Sequence, residues 1–256
     1  MRIALALAIA ALLPGAARAG PGAVDWQRKV VTCTGSGAAN LRDAGGNPAV
    51  ARIGAEKAAK LDALRNCLEA VKGVTVGSGK TAGDAMASDA AVRARVEGTV
   101  RGFQVVGKPR YYSDGGVEMD VEVPLEGAIS EALLPAGAGA APAGKGPAPG
   151  TSLVVDARGQ KVVPALAPRV LDPAGREIYG PAMLGAPARP GGGAAYARDL
   201  EAARRDLGAR LGDRPLVVKA VRAEGADLVL SDADAAALAG KDLGFLAEGR
   251  VVVLTD

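Results

Sequence analysis

The stretch that most constrains this chain runs from Asn47 to about Val71. Asn47 is placed to accept hydrogen bonds from the free amides of a first helical turn. Pro48 follows at the first helical position, where a missing N–H costs nothing. The residues that follow are mostly Ala, Leu, Lys, Glu and Arg, all good helix formers. Val50, Ile53, Lys57, Leu61, Leu64, Leu68 and Val71 recur at spacings of three and four, which predicts one apolar face turned to a core, with the stem of Lys57 along it. Gly73 is expected to end the helix in the left-handed conformation. About 23 helical residues at ~1.5 Å each reach ~35 Å, enough to cross a small sheet.

A strand closes this region. In Gly116–Leu125, Val117, Met119, Val121 and Val123 alternate with Glu118, Asp120 and Glu122. Strict alternation gives one buried and one wet face. Asp114-Gly115 supplies the positive φ of a tight hairpin just before it. Upstream, Val24 to Thr34 reads as a strand ended by Gly35-Ser36-Gly37, and a short helix or turn is expected near Asp84–Ala91. Val92 to Val106 reads as a long strand, with Gly98 and Gly102 as bulges. One long helix on one face of a mostly antiparallel sheet is the α+β arrangement.

Little in the chain points to catalysis. There is no His, which removes the commonest general base and the commonest metal ligand. Glu118, Asp120 and Glu122 line up on the wet face with no His or Cys beside them, as a solvated strand face would. The glycine pair Gly35/Gly37 lacks the third glycine and the prompt helix of a dinucleotide loop. Gly77-Ser78-Gly79-Lys80-Thr81 resembles the tail of a phosphate loop, but Val74 stands where that pattern needs Gly. No catalytic residue, metal ligand or cofactor is expected. The two cysteines, Cys33 and Cys67, either pair as a disulfide closing a loop of ~34 residues, worth ~3–4 kcal/mol in the chain-entropy model, or lie buried as thiols.

Met1-Arg2, the apolar run Ile3–Leu13, the break Pro14-Gly15 and the small residues Ala17 and Ala19 form the pattern of a secretory signal peptide, residues 1–19, cleaved after Ala19. The run is shorter than the ~20 residues a spanning helix needs, and no later segment qualifies, so no transmembrane helix is expected. Cys33 comes too late, after Val31-Thr32, to make a lipid-anchor box. The expected location is the periplasm or outside the cell. The formal charge of +3, less the two of Arg2 and Arg18, leaves +1, and aromatic residues make up only 3%. Neither favours nucleic acid.

Residues 20–134 thus form the expected α+β domain, with a helical turn or two in Glu126–Leu134. Residues 135–150, all Pro, Gly and Ala apart from one Lys, cannot bury enough to order themselves and read as a flexible linker. Residues 151–256 read as a second small α/β domain. Its expected elements are a strand at Thr151–Asp156, a hairpin around Asp172–Gly175, a loop over 181–193 and a surface helix from Ala194 to about Leu211. Strands are expected at Leu216–Val221, Asp227–Leu230 and Arg250–Leu254, and Ser231 caps a short helix, Asp232–Ala239. Asp156, Arg158, Asp232 and Asp234 stand nearest its strand ends. Asp232 and Asp234 are explained without a metal by a helix N-terminus that favours carboxylates.

Asn47-Pro48, the helix segment Ala58–Gly73, the segment Val100–Val106 and the strand Tyr111–Leu125 ending in Val123-Pro124-Leu125 together resemble the LPP-twenty lipoprotein family, related to the N-terminal domain of flagellar assembly protein T. The resemblance covers about residues 24–130 and carries no functional residues to transfer. Residues 151–256 are similar to the C-terminal extension of some proteins of that family. The resemblance implies an envelope protein with surface or flagellar roles, although the lipidation cysteine is missing. The expectation is a non-catalytic exported envelope protein acting through contacts with envelope or flagellar proteins, compatible with a homo-oligomer. The alternative is a periplasmic small-ligand-binding module with a cleft between domains or at the strand ends of the second.

Overall fold

The computed structural model describes residues 22–256 apart from 78, 138, 140, 143 and 145. The expected leader therefore lies outside the described residues, as does Ser78. The first unit opens with β1 (Ala23–Asp25) and β2 (Val30–Ala38), followed by α1 (Pro48–Lys72). The small hairpin β3 (Thr75–Gly77) and β4 (Lys80–Thr81) leads into α2 (Ala82–Ser88) and α3 (Ala90–Arg101). Strands β5 (Gln104–Tyr111) and β6 (Gly116–Pro124) and the short α4 (Ala128–Leu133) complete it. The sheet order is β1-β2-β6-β5, antiparallel throughout, with β2 paired to β6 from Val30↔Pro124 to Ala38↔Gly116. Gly115, at φ +86°, makes the expected tight turn between β5 and β6.

The face that α1 buries is not the aliphatic one. Its buried residues are Ala51, Ala55, Ala59, Ala63, Cys67 and Val71. Val50, Ile53 and Leu61 are instead 51%, 51% and 66% exposed. The cause lies in β2, which does not end at Thr34 but runs through Gly35 and Gly37 to Ala38. A Cβ on Gly35 would stand 2.1 Å from the Ala59 carbonyl oxygen, and one on Gly37 would stand 2.1 Å from that of Ala55. Helix and strand meet backbone to backbone, and only alanine fits on the helix side. The register is pinned where Ser36 N–H donates to Asp62 Oδ2 at 3.0 Å and Asn66 Nδ2 donates to the Thr34 carbonyl at 2.8 Å. Cys33 and Cys67 form a disulfide across the same contact, with Cα atoms 5.5 Å apart. Of the aliphatic row, Val71 is buried and Leu64 and Leu68 pack partly buried onto the core, beside α3.

Two further expectations change. Val92–Val106 is not one strand, because Asp89 accepts hydrogen bonds from Ala91 N and Val92 N and so caps a helix. Val96 and Val100 of that helix lie buried four residues apart, and Gly102 follows its end. Gly73 closes α1 at φ −74°, in the right-handed region, with its N–H bonded to the carbonyls of Glu69 and Ala70.

The second unit contains β7 (Ser152–Asp156), β8 (Val170–Leu171), β9 (Glu177–Tyr179) and β10 (Ala195–Ala197). Then come α5 (Leu200–Asp206), α6 (Gly208–Leu211), β11 (Pro215–Glu224), β12 (Asp227–Leu230), α7 (Asp232–Leu238) and β13 (Val251–Leu254). The sheet order is β10-β13-β7-β11-β12-β8-β9, parallel from β10 to β11 and mixed beyond. Ala194–Leu211 is thus not a single helix. Ala195–Ala197 form a buried strand, and Asp199 caps α5 by accepting from Ala202 N. Short 3-10 turns interrupt the loop at Pro181–Met183 and Ala186–Gly191. The described residues of 135–150 lie against this unit. The Pro142 carbonyl accepts from Leu243 N at 3.0 Å, and a Cβ on Gly144 would stand 2.1 Å from the Lys241 carbonyl carbon.

The two units share one core. A continuous cluster of buried side chains runs from Val31, Val71, Val121 and Leu125 to Leu166, Tyr179, Tyr196 and Val253. Leu166 N and Ala167 N donate to the carbonyls of Thr75 and Val76, and Gly127 N donates to that of Pro190. Trp26 meets Tyr196 edge to face, with ring centroids 5.7 Å apart.

Gly35→Ala is expected to lower stability by about 3 kcal/mol, because the new methyl has helix backbone rather than a yielding side chain in front of it. Leu61→Ala is expected to change it by less than ~0.5 kcal/mol, as an exposed substitution should. Urea unfolding of the two variants checks both; the reverse order would mean that α1 buries its leucines.

Candidate functional site

The wet face of the first sheet carries its carboxylates in pairs with arginines. Arg110 on β5 reaches Asp120, and also Glu118 at 3.3 Å. Tyr112 OH donates to Glu118 at 2.7 Å, and Thr34 Oγ1 donates to Asp120 at 2.7 Å. Arg28 forms a two-pronged pair with Glu122, both bonds 2.9 Å. The bonds from Arg110 hold the Asp120 carboxyl below its usual range, and those from Asp120 push the Arg110 guanidinium up. Asp120 is therefore held ionised as an acceptor. Among the described residues no cluster of three or more His, Cys, Asp and Glu could hold a metal ion.

In the second unit the four residues nearest the strand ends separate. Arg158 bonds Asp156 through Nε at 2.9 Å and Nη2 at 2.6 Å, which lowers the Asp156 pKa. Asp234 accepts from Ser231 Oγ at 2.9 Å and from Lys219 N at 3.1 Å, joining the start of α7 to β11. Asp232 instead lines a hollow of about 590 Å³ between α7 and the β8–β9 hairpin, where Asp172 is occupied by Arg176. These residues do not form one site.

The seam between the units holds what the sequence did not disclose. Lys29 sits in the β1–β2 turn at φ +50° with its ammonium buried. It donates to the Gly191 carbonyl and stands 3.2 Å from Glu126. Arg210 of α6 donates to the same carbonyl at 2.7 Å. Burial, followed by the neighbouring Arg210 charge, lowers the Lys29 pKa to about 8, while Glu126 opposes the shift. Burial also lowers that of Arg210. Nearby, burial raises the phenols of Tyr179 and Tyr196, which donate to the carbonyls of Gly193 and Ala165. A lysine followed by two valines gives no sequence signal that its head will be buried.

Beside the seam lies a cleft of about 660 Å³. Its apolar wall includes Val76, Ala85, Val92, Leu133 and Leu134 of the first unit and Ala167 of the second. Lys80, Thr81 and Asp84 stand at its edge, with Thr81 and Asp84 bonded to each other in the cap of α2. Lys80 and Thr81, noticed in the sequence as a failed phosphate loop, thus form part of a hairpin beside this cleft.

Residues 152–256 match the family model described as the second domain of Treponema pallidum Tp0624. No curated protein matches the chain. The matched region coincides with the second unit, so the chain has a two-domain organisation although its domains share a core.

Lys29 gives the seam a measurable pH dependence. Its folded pKa lies below the unfolded ~10.4, so the unfolded chain binds more protons between about pH 8 and 10, and stability rises with pH in that window. Relative to Lys29→Met, the wild-type chain is expected to gain about 2 kcal/mol from pH 7.5 to 9.5 in urea unfolding. Parallel pH profiles for the two proteins would mean that the ammonium is not buried.

Proposed function

We propose that this chain is a non-catalytic exported protein of the cell envelope, acting through protein–protein contacts in envelope, surface or flagellar assembly. The observation that carries the reading is the open edge of the first sheet. Strand β5 ends the order β1-β2-β6-β5, and Val105 and Val106 point to opposite faces of it, both exposed. An edge with unpaired backbone groups and apolar side chains on both faces can accept an extended segment from a partner as an added strand. Gly107 at φ +72°, Lys108, Pro109 and the shift of register between Val106 and Arg110 limit that pairing to the first few residues of the strand, which disfavours indiscriminate aggregation. The secretory pattern of residues 1–19, the likeness of residues 24–130 to the LPP-twenty family and the pairing of Glu118, Asp120, Glu122 and Asp156 with arginines support the same reading.

A photo-crosslinking side chain at Val105 or Val106, activated in intact cells, is expected to capture a defined envelope or basal-body component. The same group at exposed Val163, far along the chain, is expected not to capture it. Recovery of the uncrosslinked chain alone from all three positions would overturn the reading.

The cleft of about 660 Å³ favours a second reading, a small-ligand-binding module, since its volume falls in the range of ligand sites and its wall comes from both units. A thermal-shift screen of small amphiphiles tests it. A hit lost in Ala85→Trp, which would fill the cleft, supports this reading; no hit, or one that survives the substitution, rejects it.

A further inference from the structure

The outward side of α1 carries a pattern that the sheet-edge reading does not use. At ~100° per residue, the sector of about 120° facing away from β2 between Val50 and Leu61 holds Val50, Ile53, Gly54, Lys57, Lys60 and Leu61. No carboxylate falls in it. The nearby acids are turned to the flanks and used there, since Glu56 accepts from Tyr111 OH at 2.9 Å and Asp62 from Ser36 N at 3.0 Å. Among the described residues Lys57 and Lys60 have no ion-pair partner, and Arg65 has only a 3.9 Å contact with Asp62. Val50, Ile53 and Leu61 are the most exposed aliphatic residues of the helix. Leu41, also exposed, lies in the turn leading into it.

We propose that this ridge is a peripheral docking surface for an anionic lipid bilayer. The argument is charge complementarity joined to shape. A single helix standing proud of its sheet offers a convex line of aliphatic side chains at the depth of the acyl boundary. The flexible stems of Lys57 and Lys60 flank that line and lift their ammonium groups to the headgroup phosphates. Cations near an anionic surface add attraction that salt screens. An acidic protein partner would share the charge preference. Such interfaces, however, seat protruding side chains in pockets, and the hollow this ridge borders, about 210 Å³ where Leu61 and Arg65 meet α3, lies at its end rather than along Val50 to Lys60. The surface is separate from Val105 and Val106, so each proposal can fail without the other.

The described core closes within residues 22–256, so the chain from Gly22 carries the fold without the apolar leader, which would bind lipid by itself. Co-sedimentation with phosphatidylcholine vesicles holding about a quarter phosphatidylglycerol is expected to pellet it, and pure phosphatidylcholine is not. Binding is expected to weaken roughly tenfold or more in Lys57→Glu/Lys60→Glu and to fall steeply as salt rises. The triple replacement Val50→Ser, Ile53→Ser, Leu61→Ser is expected to weaken it comparably. All these positions are exposed, so circular dichroism and the intact disulfide should remain unchanged. Equal binding to both vesicle types, no binding, or full binding by either folded variant would overturn the proposal. So would capture of an acidic protein through these residues with no lipid binding.

Discussion

The close approach of α1 to β2 decides most of what this chain presents to its surroundings. A helix lying on a sheet normally stands off by the length of its aliphatic side chains. Here Gly35 and Gly37 remove the strand's side chains, and Ala55, Ala59 and Ala63 remove the helix's, so backbone rests against backbone. Such a contact has little freedom to rotate, because turning α1 to bury Leu61 would drive a four-carbon side chain into β2. The Cys33–Cys67 bridge and the bonds of Asp62 and Asn66 fix the same orientation. Val50, Ile53 and Leu61 are consequently left outside, beside the lysines.

An alanine-rich interior is thin, and that bears on how the units meet. The first unit places few large side chains in its core, and α4, which carries Ile129 and Leu133, packs both on α3 and on the 3-10 turn Ala186–Gly191 across the seam. Backbone hydrogen bonds from Leu166 and Ala167 extend the small β3 hairpin into the second unit, and Lys29 and Arg210 reach one carbonyl from opposite sides. The second unit, whose match to a known domain covers residues 152–256, is thus attached by packing as well as by the chain itself.

Much of this was legible in the sequence wherever the signal was local. The alternation of Val117, Met119, Val121 and Val123, the Asp114-Gly115 turn, the Asn47 and Ser231 caps and the α+β class follow from short-range chemistry, and the structure has all of them. The cysteine pair was open between bridge and thiols, and the structure makes it a bridge. What misled was weight. Periodicity favours Leu over Ala, so the aliphatic row of α1 outvoted the alanine row that in fact packs. The run Val92–Val106 reads as a strand, although Val92, Val96 and Val100 recur at the helical spacing of four and Asp89 two residues ahead of Ala91 is a helix cap. Likewise Asp199 marked the true start of α5, inside a run read as a longer helix. The seam was out of reach, because Lys29 and Gly191 are distant in the chain and carry no shared pattern. Of the candidate polar residues, pairing across strands could have been guessed for Arg110 with Glu118 and Asp120, but not the separation of Asp232 from Asp156.

Both surfaces proposed for function follow from the orientation of α1 and the end of the first sheet, so that orientation is the claim to test. Hydroxyl-radical footprinting of the native chain, read residue by residue by mass spectrometry, addresses it directly. The account predicts strong oxidation at Ile53 and Leu61 and little at Val71 and Val121. Protection of Ile53 and Leu61 in the isolated chain would contradict it, and would mean that α1 turns its aliphatic row inward or covers it.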